Sequence, residues 1–402
     1  MLRSSRWPIT IVLWALAASG CAELKYDNTA VVFDHPPAIV KDTLAGIWLK
    51  TCYLYPARDY LTFTWLGRVL LGDEAWDVTP DGGVPDGPLF INREVRAVSP
   101  EDLRRGPGDG PPPVGPWRVK KAKWQGQTAG FIGEDAVGRS YLVKIDDPDY
   151  PELGTSAEMI GSRLTWLMGY RVAPVYLVTI TGTGDARYDG RRATASALVP
   201  GRILGEFKFD FYRMRREIRA LRLVAEWLNN TDCVDNNTLV VMEDGQTRCY
   251  LVDFNSSLGS WNGRPKEAWR GRRYAWDVEY QVLGLLTIGL LPRWPSEMKA
   301  VSPAAGTFDA GAEFSGPWRP QNPNTAFDRL TGADAAWMAR RMAAVSTEQL
   351  RAIVAAAEYS RPADADYVLK VLTERRERIL DRWGKGEGGG LDKGVASPGG
   401  RD

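Results

Sequence analysis

The stretch from Tyr212 to Asn255 permits few folds. It opens as an amphipathic helix over about 212–228, with Met214, Ile218, Leu221, Ala225 and Leu228 on one face. A polar loop follows at once, Asn230-Thr231-Asp232-Cys233-Val234-Asp235-Asn236-Asn237. Next come an apolar strand over 238–242, a turn at Glu243-Asp244-Gly245-Gln246, and a strand over 249–252 that ends in Asp253-Phe254-Asn255. Asp232 and Asn237 share one loop, and Asp253 stands at the adjoining strand end. That arrangement lets the three oxygen-bearing side chains converge on one pocket.

Upstream, the texture is that of strands. Segments 117–124 and 140–145 flank turns at Gly126–Gly130 and Asp135–Gly138, and 176–181 and 193–198 flank Gly182–Gly190. A helix is expected over 157–168, with Ala157, Ile160, Leu164 and Leu167 on one face and Gly169 as its stop. Lys144 ends one strand and Glu158 lies on the helix that follows. Val199-Pro200-Gly201 closes this part of the chain as a natural hinge. From Asp334 to about Trp383 the pattern is helical again, and Val282–Leu291 reads as a buried helix too short to span a membrane. The expected class is α+β in two lobes, the first β-rich and the second mostly helical, with an N-terminal extension.

Each local feature also has a plain structural reading. Asn and Asp crowd loops because their side chains bond nearby backbone. Glu158 stands three residues after Thr155, a T-x-x-E capping box. What carries weight is the order: Lys on a strand, Glu on a helix, a long helix, D-x-x-x-x-N, a hairpin, Asp-Phe. This order resembles the protein-kinase-like superfamily, in particular its divergent HipA-like and secreted branches. The resemblance covers about 117–259. Three motif groups also look like those of exported bacterial proteins of unassigned function. They are Val84-Pro85-Asp86 with Phe90-Ile91-Asn92-Arg93, Leu251-Val252-Asp253-Phe254 with Ser257-Leu258-Gly259-Ser260, and Trp318-Arg319-Pro320 with Asn324-Thr325-Ala326-Phe327.

The kinase resemblance implies a site. Asp232 would orient and deprotonate an acceptor hydroxyl, and Asn237 and Asp253 would ligate Mg²⁺ or Mn²⁺ through oxygen. Lys144 would contact the α- and β-phosphates of ATP or another nucleotide, with Glu158 as its ion-pair partner. Gly126 and Gly130 would belong to a phosphate-covering hairpin, and Val199 and Gly201 to the hinge beside adenine. Three departures stand out. Asn255 occupies the place of a glycine, Asn230-Thr231 stands where His-Arg is usual, and no Ala-Pro-Glu follows.

Composition narrows the chemistry. The 402 residues hold a single histidine, His35, in a polar Asp-His-Pro-Pro loop. Ser-His-Asp triads and His-rich zinc sites are thereby disfavoured. With 51 Lys+Arg against 50 Asp+Glu, no strong field points to nucleic acid. Cys21, Cys52, Cys233 and Cys249 form no C-x-x-C pair, and a disulfide among the last three is open.

The N-terminus is an address. Arg3 and Arg6, an apolar run over 7–18 and Ala18-Ser19-Gly20-Cys21 have the layout of a secretory signal. Small residues directly before Cys21 resemble the bacterial lipobox, which implies cleavage there, acylation of the Cys21 thiol and a lipid-anchored place in the cell envelope. The resulting division is a signal over 1–20, an extended region and linker over 21–116, lobes over 117–200 and 201–383, and a disordered tail over 384–402. Three functions compete. The first is phosphoryl transfer to a protein, lipid or sugar hydroxyl. The second is a non-catalytic kinase-like binding lipoprotein. The third and weakest is a carbohydrate-active protein using paired carboxylates.

Overall fold

The computed structural model describes residues 46, 49–55, 57–58, 73–122, 128–275, 284–286, 298–310 and 318–384. Cys21, Gly126, the signal segment and the tail beyond 384 lie outside the described residues. The α+β, two-lobed plan is present. Strands β1 (Arg118–Ala122), β2 (Gly130–Glu134), β3 (Ser140–Ile145), β4 (Val175–Thr179) and β5 (Arg192–Ala197) form one antiparallel sheet in the order β1-β2-β3-β5-β4. The tight turn between β2 and β3 has a local cause. Asp135 Oδ1 accepts the N–H groups of Val137 and Arg139, at 3.1 and 2.8 Å. Trp117, Phe131, Tyr141, Val143 and Ile145 bury one face of this sheet in a core of their own.

The rest shares a larger core. A three-stranded sheet in the order β6-β7-β8 is made of β6 (Arg202–Gly205), β7 (Thr238–Glu243) and β8 (Gln246–Leu251). Between β3 and β4 runs helix α2 (Leu153–Leu167), buried on almost every side. Helix α3 (Arg216–Leu228) buries Ile218, Leu221, Ala225 and Leu228, the stripe expected from the sequence. On it pack α4 (Gly332–Ala343) and α6 (Pro362–Trp383), and α5 (Thr347–Ala355) packs on α6 and α2. No helix among the described residues is long and apolar enough to cross a membrane.

Two expectations need correction, and one open question is answered. Helix α2 begins at Leu153, so Thr155 lies inside it and caps nothing with Glu158. Asp146 does that work, accepting from the N–H groups of Glu152 and Thr155 at 3.0 and 2.8 Å and from Thr155 Oγ1 at 2.7 Å. Of the helix expected over 282–291 only 284–286 are described, and there Leu285 and Leu286 are exposed rather than buried. Cys233 and Cys249 are free thiols.

Residues 73–116 are no loose linker. The stretch around Phe90 is a strap between the lobes, with Ile91 N–H on Gly169 O (2.8 Å), Arg171 N–H on Leu89 O (2.8 Å) and Cys249 N–H on Pro88 O (2.9 Å). Phe90 is fully buried, 5.3 Å from the Tyr170 ring and 5.5 Å from Trp337. Helix α1 (Pro100–Arg105), started by the Ser99 cap, packs on α5. The loop beyond it lies on the first lobe, where Arg139 donates to Pro111 O and Pro112 O. Such a strap unfolds with the body, so Phe90→Ala should cost about 3–5 kcal/mol, the usual loss for a buried aromatic. Urea denaturation checks this. An unchanged midpoint would put the strap outside the cooperative unit.

Candidate active site

Lys144 stands near the end of β3 with its side chain buried, opposite Gly130 of β2 in the strand register. A buried ammonium is strongly unfavourable unless paired. Here it is paired twice, with Glu158 Oε2 at 3.0 Å and with Asp253 Oδ1 at 2.8 Å. Asp253 and Glu158 hold the Lys144 proton more tightly than in an ordinary lysine, against the opposing effect of burial. Glu158 itself is pushed up by burial and by the negative charge of Asp253, with Lys144 opposing. Gly130 has a steric reason to be glycine, because a Cβ there would meet Val143 O at 2.0 Å.

The loop after α3 is built against the hairpin. Asn229 closes the helix in the left-handed conformation (φ 50°). Asn237 Nδ2 then donates to Asp232 O at 2.8 Å and to Asp232 Oδ2 at 3.0 Å, which fixes the carboxylate. Thr238 pairs with Leu251 across β7 and β8, and Val252 N–H donates to Asn237 O at 3.0 Å. Hairpin register therefore sets Asn237 beside the start of the Asp253 turn. Asp253 takes a left-handed φ of 62°, and Phe254 turns back into the core. There it packs on α2 at Gly161, where an added Cβ would come within 2.8 Å of the Phe254 Cβ. The helix carrying Glu158 and the turn carrying Asp253 are thus locked to each other.

A chain whose five-stranded antiparallel sheet carries this lysine, whose inserted helix supplies the glutamate, and whose second-lobe hairpin delivers the aspartate has a recognisable plan. This is the plan that the kinase resemblance implies. Similar solved structures include the Helicobacter pylori proinflammatory kinase CtkA, at 11% identity and TM-score 0.41 over 68% of this chain and 97% of that one. The Shewanella oneidensis toxin–antitoxin protein HipA is similar at 12% identity and TM-score 0.29, over 74% of each chain. An aminoglycoside phosphotransferase from Alicyclobacillus acidocaldarius gives 13% and 0.21, over 69% of this chain and 96% of that one. No family description matches the sequence, and no curated protein does.

Two acids of this loop, Asp232 and Asp235, are raised well above the ordinary carboxylate range. Burial first, and then the neighbouring Asp253, push the Asp232 carboxyl up to about 6, against the Asn237 hydrogen bond and the cations Arg270 and Lys266. Val199 and Gly201 lie in the connection from β5 to β6, the only covalent bridge between the two sheets before α3. Gly201 is needed there, with φ 101° and a Cβ position 2.4 Å from Met242 O. One contact went unread in the sequence. Asn255 Nδ2 donates to Thr128 Oγ1 at 2.9 Å, joining the Asp-Phe turn to the β1–β2 hairpin.

A folded value for Asp232 above its unfolded one means the native state binds that proton more tightly. Its contribution to stability therefore falls as pH rises from about 4 to about 6. Asp232→Asn should stabilise the protein at pH 7 by about 2–3 kcal/mol, since one pKa unit is ~1.4 kcal/mol. Near pH 4 the gain should vanish. Urea midpoints of both proteins at the two pH values measure it, and equal gains at both would refute the assignment.

Proposed function

We propose that the chain is a phosphotransferase of the cell envelope, moving a nucleotide phosphoryl group to a hydroxyl acceptor. The observation that carries this reading is the Lys144 ammonium held between Glu158 and Asp253. In that position Lys144 is charged, aimed by Glu158 and available to the α- and β-phosphates of ATP. Asp232 acts as the base. Its carboxylate is oriented by Asn237, and a value near 6 leaves it mainly ionised at pH 7 while still a competent proton acceptor. The acceptor hydroxyl gives its proton to Asp232 as its oxygen attacks the γ-phosphorus, and the bridging P–O bond breaks to release the nucleoside diphosphate.

Asp253 and Asn237 suit a Mg²⁺ or Mn²⁺ ion. The Asn237 amide nitrogen is occupied by Asp232, which leaves the amide oxygen as donor, and the Asp253 side chain is one-third exposed. Mg²⁺ is commonly held by one or two protein carboxylates together with phosphate oxygens and water. When bound, such an ion supplies charge neutralisation along the phosphates. Gly130, and Gly126 beyond the described residues, belong to the hairpin over the phosphates. Val199 and Gly201 line the hinge.

Export and anchoring belong to the same proposal, on the Ala18-Ser19-Gly20-Cys21 signal. Cys21→Ser should move the protein from the membrane fraction to the soluble one and abolish labelling by a fatty acid. Retention in the membrane with no label would remove the lipid anchor from the reading.

The phosphotransfer proposal is tested by thermal shift with ATP and Mg²⁺ or Mn²⁺. A metal-dependent rise in melting temperature is expected, and Asp253→Ala should abolish it. No response to any nucleotide would favour a non-catalytic binding lipoprotein.

A further inference from the structure

Beyond the Asp232 loop, the second lobe holds a polar cavity lined largely by cations. Its volume is about 90 Å³. That holds several waters at roughly 10–15 Å³ each, and is far below the ~300–1,000 Å³ usual for a whole small-molecule ligand. Six cations line it: Lys266, Arg270, Arg272, Arg375, Arg378 and Arg382. Three carboxylates do so too, and each faces a different arginine. Glu267 Oε2 is 2.6 Å from Arg270 Nε, Asp309 Oδ2 2.8 Å from Arg272 Nη2, and Glu226 Oε1 3.8 Å from Arg382 Nη1. With Lys266 ionised, six positive charges less three negative ones leave a formal +3 around the cavity.

Lys266 is the group that needs explaining. It is 3% exposed, and its ammonium donates to the carbonyl oxygens of Asn229 and of Leu258, the latter at 2.9 Å. Among the described residues, no carboxylate forms an ion pair with it. Two of its three N–H donors are used, and the two carbonyls bring no full counter-charge. Burial, and then Arg375 and Arg270 beside it, pull Lys266 well below the ordinary lysine range. A fold seldom gathers like charges around a buried ammonium without something to offset them.

The surrounding cations are also held in place. Arg270 lies over the rings of Trp261 and Trp269, at 3.6 and 4.4 Å. Arg375 is fixed by the carbonyls of Glu226, Trp227 and Asp309. Guanidinium groups set in this way present N–H donors at fixed angles, which suits a tetrahedral oxyanion. A dianion would bring the formal +3 to +1, whereas a carboxylate would leave +2.

We infer that this cavity is a phosphate site, taking a tetrahedral dianion on Lys266 and the arginines around it, either as the free ion or as a monoester group. The inference does not rest on the phosphotransfer reading, but the two sites communicate. Arg270 donates to the Gln321 side chain, and Gln321 N–H donates to Thr231 O at 2.7 Å, next to Asp232. Lys266 and Arg270 both favour the ionised form of Asp232. An anion in the cavity offsets them and so strengthens the Asp232 carboxylate as a base.

The test is a thermal-shift titration of the full-length protein with inorganic phosphate at constant ionic strength, with chloride as control. Phosphoserine forms a second arm. Wild type should show a saturable rise in melting temperature with phosphate, and Asp253→Ala should show the same rise. In Lys266→Met and in the rim variant Arg378→Gln the midpoint should shift to about tenfold higher phosphate or beyond. If Lys266→Met does not fold, Arg378→Gln decides. A response to phosphoserine as strong as that to phosphate identifies a monoester carried on a larger molecule, and a response to phosphate alone identifies the free ion. No saturable rise, or a rise unchanged in both cavity variants, overturns the inference. A rise lost in Asp253→Ala but kept in Lys266→Met would place phosphate at the nucleotide site, overturning this inference and leaving the phosphotransfer proposal intact.

Discussion

A single buried ammonium holds the two lobes in register. Lys144 belongs to the first sheet, Glu158 to the helix inserted between its strands, and Asp253 to the turn that leaves the second sheet. Removing the ammonium would leave two carboxylates without a counter-charge in a low-dielectric setting, where the penalty is several kcal/mol per uncompensated ion by order of magnitude. The sheet, the helix and the turn are therefore constrained together. Phe254 adds an apolar constraint of the same sense by filling the space that Gly161 leaves on α2. Charge pairing and packing thus specify one arrangement of three chain segments that are far apart in sequence.

The charge balance of that cluster has a chemical consequence. One ammonium faces two carboxylates, and Asp232 adds a third acid close enough for Asp253 to raise its proton affinity. Excess negative charge beside oxygen donors is the setting in which a hard divalent cation is favoured. On the other side of the same loop, Lys266 and Arg270 supply the opposite sign. Asp232 sits between these two fields, and its pull toward about 6 is what remains after burial and Asp253 outweigh the cations. Its proton affinity is thus set jointly by Asp253 and by these cations.

Much of this arrangement was legible because it is local. Strand β3 runs over Ser140–Ile145, the span that alternation and its bounding turns imply, and α3 buries the stripe that the 3.6-residue period marks. Asp232, Asn237 and the Asp253 turn were readable because a hairpin's register is fixed by its own short loop. Long-range features were not. The T-x-x-E pattern at Thr155 pointed to a cap, but Asp146, just after β3, accepts from the N–H groups of Glu152 and Thr155 instead. The Gly-Pro stretch at 106–116 suggested a linker or a wrapping loop, but nothing local marked Phe90 as a core residue, because its partners Tyr170 and Trp337 lie 80 and 247 positions away. The cation-lined cavity draws on α6 and on the segment after β8, and no window of sequence contains both.

Asn255 shows how a departure from a familiar pattern can be compensated. Glycine after Asp-Phe leaves the backbone free, and its loss from this position removes that freedom. The asparagine is buried, and its amide reaches across the lobes to Thr128 Oγ1, at 2.9 Å. Beside it, Ser256 Oγ donates to Asn255 Oδ1 at 3.4 Å. A buried amide that is satisfied at both ends resists rotation, since breaking either bond leaves a polar atom without water or partner. The turn carrying Asp253 is therefore tied to the β1–β2 hairpin above it as well as to α2 behind it. A chain so tied holds Lys144, Glu158 and Asp253 assembled as its resting arrangement.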